Sequence, residues 1–128
     1  MRNYRDLVVW QRSHRFVLQL YRASDGFPRH ELYGLTSQIR RAAASIPTNL
    51  AEACGRRGDK EFGRFVRIAM GSASEADYLI LLASDLGYLA QRTSIDFRRE
   101  LDEIRRMLTG LDKRLQNQSL STTVGERS

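Results

Sequence analysis

The chain predicts an all-α fold, an antiparallel up-down-up-down four-helix bundle whose second helix is kinked near Pro47. Three observations carry this. Apolar residues recur at helical spacing in four successive stretches, the turn signals between them are short, and no stretch alternates with the period of two that a strand requires. With 128 residues one domain is expected, large enough to bury a core without staples. Residues 1–118 are assigned to the bundle and 119–128 to a flexible C-terminal tail, because the closing NQSLSTTVGERS is polar and small.

The first helix is expected to start near Tyr4 to Asp6 and run to Ala23 or Ser24. Leu7, Trp10, His14, Val17 and Tyr21 step by three and four, and Val9, Phe16 and Leu20 widen that surface. Asp25-Gly26 ends it, and Pro28 opens the next turn.

The second helix is read from Glu31 to Arg57, with Glu31 in its early, anion-attracting turn. Leu35, Ile39, Ala42, Ile46, Leu50 and Ala53 share one face, while Ser37, Ala44, Thr48 and Ala51 form a second face of small residues. A face lacking long charged side chains suits the close approach of another helix, which could belong to another subunit. Pro47 lacks an N–H and crowds the carbonyl of Ala43, so a bend near Ser45 and Ile46 is expected.

Asp59 is expected to cap a third helix reaching Ala90, with a buried stripe of Phe62, Phe65, Val66, Ala69, Ala73, Ala76, Ile80 and Ala83. From Tyr78 onward it is apolar around most of its circumference, which calls for more than one neighbour. Thr93 or Ser94 is expected to cap the fourth helix. There Phe97, Leu101, Ile104, Leu108, Leu111 and Leu115 alternate by four and three, the narrow seam of coiled-coil-like packing. Its other face offers Arg98 to Asp102, Arg99 to Glu103 and Asp102 to Arg106 as i,i+4 pairs.

The net charge of +6 is unevenly distributed: 13 basic and 6 acidic residues up to Arg67, 8 basic and 9 acidic from Ile68 on. Nineteen of the 21 cations are arginine, whose planar fork grips phosphate or carboxylate. An anionic partner such as RNA or DNA is therefore in play. Arg40, Arg41, Arg56, Arg57, Lys60, Arg64 and Arg67 form the candidate nucleic-acid-binding set, gathered at one end of the bundle by a hinge at Gly58. In the competing reading they pair with Glu31, Glu52, Glu61 and Glu75, with Arg41 as a buried structural partner.

Catalytic and cofactor chemistry finds no support in the motifs. His14 and His30 lack metal-site spacing, and the single cysteine, Cys54, has no obvious base and no partner for an internal disulfide. GSASE at 71–75 ends in Glu75 and sits mid-helix, unlike a nucleophile elbow, and CGRRGD lacks the Walker lysine. No cofactor, no metal and no enzymatic activity are expected. Neither a secretion leader nor a membrane span is visible, so a soluble, cytoplasmic protein that does not engage membranes is expected.

LVVWQRSHRFVLQLYR at 7–22, FPRHELYGLTSQIRRAAASIPTNLAEACGR at 27–56, EFGRFVRIAMGSASE at 61–75 and MLTGL at 107–111 together resemble the 23S rRNA intervening-sequence proteins, the S23-type four-helix bundles. Where that family usually shows an aromatic in a glycine-bounded stretch, this chain has Cys54 before Gly55. The resemblance implies a ring-shaped homopentamer and a non-enzymatic role in nucleic-acid binding or assembly. Related bundles are similar to accessory proteins of diversity-generating retroelements, which bind nucleic acid and a reverse transcriptase. The alternative expectation is a protein-interaction scaffold whose positive charge is incidental.

Overall fold

The computed structural model describes the backbone of residues 3–127 and the side chains of residues 3–118. Four helices, α1 (Val8–Ser24), α2 (Leu35–Cys54), α3 (Asp59–Asp85) and α4 (Gln91–Arg127), follow one another, with 3-10 turns at Tyr4–Asp6 and Arg29–Glu31. No strand occurs among the described residues. The chain packs α1 on α2, α2 on α3, α3 on α4 and α4 back on α1, leaving α1 diagonal to α3 and α2 diagonal to α4.

The apolar stripes explain this closure. All six residues of the expected α2 face, all eight of the α3 stripe and all six of the α4 seam are buried. In α1 the expectation needs correction. The buried line is Val9, Ser13, Phe16, Leu20 and Ser24, whereas His14 and Tyr21 are exposed. Ser13 and Ser24 tolerate burial because their hydroxyls donate to the carbonyls of Trp10 and Tyr21 at 3.0 and 3.1 Å. His14 stacks on Trp10 with ring centroids 5.0 Å apart.

Helix boundaries shift where local geometry overrides residue preference. Asn3 accepts from the Arg5 N–H at 3.0 Å and winds Tyr4–Asp6 into a separate turn, so α1 starts at Val8. Glu31 lies in a 3-10 turn ahead of α2, outside the helix it was assigned to. Its carboxylate accepts from the Leu35 N–H at 3.3 Å and from the Tyr88 hydroxyl at 3.0 Å, tying that turn to the α3–α4 loop. A Cβ at Gly34 would stand 2.7 Å from Glu31 Oε1, so a larger residue there would make that carboxylate shift. Gly58 with φ of 82° takes the cap position before α3, displacing Asp59 into the first turn. At the other end Gly87, φ of 81°, turns the chain, and the Tyr88 N–H reaches the Ala83 carbonyl at 2.9 Å, ending α3 at Asp85 rather than Ala90. The fourth helix begins at Gln91, so neither Thr93 nor Ser94 caps it; Ser94 is buried in its first turn. The expected tail at 119–128 lies outside the residues whose side chains are described.

Polar side chains register the helices. Arg12 forms a two-pronged contact with Glu100 at 2.9 and 2.8 Å between α1 and α4, which raises the arginine's pKa. Between α3 and α4, Arg67 meets Asp112 at 3.0 Å, Arg105 meets Ser74 at 3.4 Å and Arg98 meets Asp77 at 3.1 Å. The expected i,i+4 pairs of α4 are therefore replaced: Arg98 pairs across to α3, Asp102 pairs with Arg105, and Glu103 approaches Arg106 at 3.7 Å and Arg12 at 4.0 Å. Between α2 and α3 the bond is short and neutral, with Ser45 and Ser72 hydroxyls 2.8 Å apart and Asn49 donating to Ser45.

Candidate nucleic-acid interface

The seven candidate cations separate into three groups. Arg56, Arg57, Lys60 and Arg64 meet at the corner between α2 and α3, because helix α2 stops at Cys54 and Gly58 reverses the chain within four residues. Arg56 and Arg64 both lie against Phe65, with guanidinium carbons 4.9 and 4.6 Å from the ring centroid. Such cation–π contacts hold a guanidinium in place while its nitrogens stay available to an acceptor. Each is also tethered by a carboxylate, Arg56 by Glu52 at 3.1 Å and Arg64 by Glu61 at 3.3 Å. Arg57 and Lys60 are exposed and form no ion pair among the described residues.

Arg40 and Arg67 belong to the scaffold. Arg40 crosses to α1, donating to the Ser24 hydroxyl at 2.7 Å, the Tyr21 carbonyl at 3.1 Å and Asp25 at 2.9 Å, with its guanidinium over the Tyr21 ring. Arg67 spends its charge on Asp112. Buried Gly63 leaves room for that crossing, since a Cβ there would stand 3.1 Å from the Arg67 guanidinium.

Arg41 stands apart. It is exposed and unpaired among the described residues, which corrects its assignment as a buried ion-pair partner. It lines a polar groove of about 560 Å³ between α2 and α3 with Tyr33, Ser37, Gln38, Ser45 and Glu75. Of the four carboxylates expected to neutralise the cluster, Glu52 and Glu61 do so, Glu31 binds Tyr88, and Glu75 forms no ion pair among the described residues.

The corner is thus less positive than the sequence suggests, four cations interleaved with Glu52, Asp59 and Glu61. Asp59 and Glu61 occupy the first turn of α3 and satisfy its dipole, so the exposed arginines rather than the helix end would contact phosphate. Sequence reasoning missed Phe65 as the platform. It sits beside Arg64 in sequence, but its proximity to Arg56 depends on the Gly58 reversal. Among the described residues, no group of three histidine, cysteine or carboxylate side chains could hold a metal, and no helix is long and apolar enough to cross a membrane.

A family model described as 23S rRNA-intervening sequence protein matches residues 5–110. Among solved structures, the chain is similar to a protein of unknown function from the S23 ribosomal protein family of Bacteroides thetaiotaomicron VPI-5482. The identity is 22%, with 83% of this chain and 96% of that chain covered, and the TM-score is 0.76. At that identity the likeness concerns the fold. No curated protein matches.

Proposed function

The chain belongs to the 23S rRNA-intervening sequence protein family, and from that premise we propose a non-enzymatic, homo-oligomeric bundle that binds RNA or other nucleic acid through its repeated α2–α3 corner. The observation that carries this reading is the pair Arg56 and Arg64 held against Phe65 beside the unpaired Arg57 and Lys60. A pentameric ring, in keeping with the family resemblance, would multiply this modest patch. The bundle is taken as antiparallel, since contacts that rise along α3 from Arg67 to Asp77 fall along α4 from Asp112 to Arg98. Helix α2 is taken as bent at Pro47, and the working compartment as the cytoplasm.

Fluorescence anisotropy with a structured RNA and a DNA duplex tests the reading. Binding should weaken steeply between about 50 and 200 mM salt, because phosphate contacts release counterions. R56E/R57E/R64E should abolish it. An oligomer without affinity for either probe at low salt overturns the nucleic-acid reading. The second reading, a scaffold for a protein partner, is favoured by Tyr33, 93% exposed at the mouth of the α2–α3 groove; a partner retained after nuclease treatment would select it.

A further inference from the structure

The polar groove between α2 and α3 carries side chains that the bundle itself leaves unused. Its floor is settled: Ala42 is buried, and the Ser45 and Ser72 hydroxyls bond at 2.8 Å, with Asn49 donating to Ser45. Its rim is not. Ser37 and Gln38 make no side-chain hydrogen bond among the described residues. Arg41 and Glu75 line the same groove of about 560 Å³, yet they pair neither with each other nor with any other described residue. Their neighbours are engaged, Arg40 by Asp25 and Asp77 by Arg98.

At the mouth stands Tyr33, 93% exposed, with both ring faces open. A single exposed ring is ordinary. This one is held in position, because it sits in the turn that Glu31 fixes by accepting from the Leu35 N–H and the Tyr88 hydroxyl, so a planar partner meets a platform already placed. The first turn of α2 holds no acidic residue, and its positive end adds to the pull of Arg41 on an anion.

We propose that this groove reads an unpaired guanosine of an RNA strand. The base stacks on Tyr33, a flanking phosphate takes the Arg41 fork, and the Glu75 carboxylate accepts from guanine N1–H and N2–H. Guanine alone sets two donors side by side on its Watson–Crick edge, matching the two carboxylate oxygens. Adenine and cytosine put a ring-nitrogen lone pair beside their amino group, and uracil flanks its N–H with carbonyls, so each turns an acceptor toward the carboxylate. A peptide segment is the poorer occupant, since an apolar anchor would find little beyond Ala42 on these walls. The groove lies about 20 Å from the arginine corner, the helical rise between Arg41 and Cys54. The inference rests on the nucleic-acid reading above and adds the base recognition that phosphate-gripping cations lack.

Fluorescence anisotropy with short uridine strands tests it, the central base being guanine, adenine, cytosine or uracil. The full chain should bind the guanosine strand about tenfold more tightly than the other three. E75Q should erase that preference. Y33A should bring the guanosine strand down to the level of the others and Y33F should keep it, because the ring and not the hydroxyl does the stacking. R41A should weaken all four strands alike and lower the salt slope by about one phosphate contact. Circular dichroism establishes that each variant remains helical. Equal or absent affinity for the four strands, preference for another base, or a guanosine preference that survives E75Q overturns the groove, while the corner reading stands on its own structured RNA and duplex. A nuclease-resistant protein partner released by Y33A would likewise overturn it and assign the groove to that partner. A wild type that binds neither these strands nor the structured probes at low salt overturns both readings.

Discussion

The two flanks of α3 are held by different physics. Toward α4 the seam is spanned by long charged side chains, Arg67 to Asp112, Arg105 to Ser74 and Arg98 to Asp77, all partly open to water. Toward α2 it is spanned by the Ser45 and Ser72 hydroxyls at 2.8 Å, which requires the helices to lie close. The α3 core stripe supports that closeness with Ala69, Ala73 and Ala76, each with 0% exposure. The difference teaches that the α2 flank is joined by a short neutral bond beside small buried side chains, whereas the α4 flank adds long charged bridges over its buried apolar seam, and that added part yields to salt.

Ala73→Leu should expose the contrast most sharply. Overfilling a close-packed core costs about 1–3 kcal/mol, read as a lowered denaturant midpoint that added salt leaves unchanged. Asp77→Ala removes the anion facing Arg98 and Arg105 and should cost less, about 0.2–1 kcal/mol for a partly solvated pair. That loss should shrink as salt is raised in the same denaturation series. Were the two variants to show the same salt response, the contrast between flanks would be wrong.

The smallest effect lies at the end of the bundle shared by both flanks, where Tyr88 donates to Glu31. Burial, then the hydrogen bond and charge of Glu31, raise the Tyr88 pKa above its ordinary value. The folded chain therefore favours the protonated phenol. Its contribution is complete below the ordinary tyrosine pKa of about 10 and disappears as the pH climbs through the raised value. Tyr88→Phe should flatten the alkaline limb of stability against pH, because the small contribution is then missing already at neutral pH, read as a slightly lowered denaturant midpoint there.

The buried stripes of α2, α3 and α4 were legible because burial repeats with the helical period, and that period is written in the order of residues. Partner choice was not. Arg98 could have taken Asp102 one turn away, yet it reaches Asp77 on another helix, a choice set by interhelical register. Arg40 and Arg41 differ by one position and thus by about 100° around α2, which sends one into a three-way clasp on α1 and leaves the other at a groove. The cap before α3 was misread for a related reason. Asp59 has the right chemistry, but Gly58 alone accepts the positive φ that the reversal demands.

Cys54, 3% exposed, closes α2 at the foot of the arginine corner. Its sulfur is shielded from solvent in the folded chain, so a thiol-labelling reagent can modify it only when this part of the bundle opens. The rate of labelling is therefore a clock for breathing at the corner, and its slowing in the presence of RNA would report clamping of the hinge without any engineered probe.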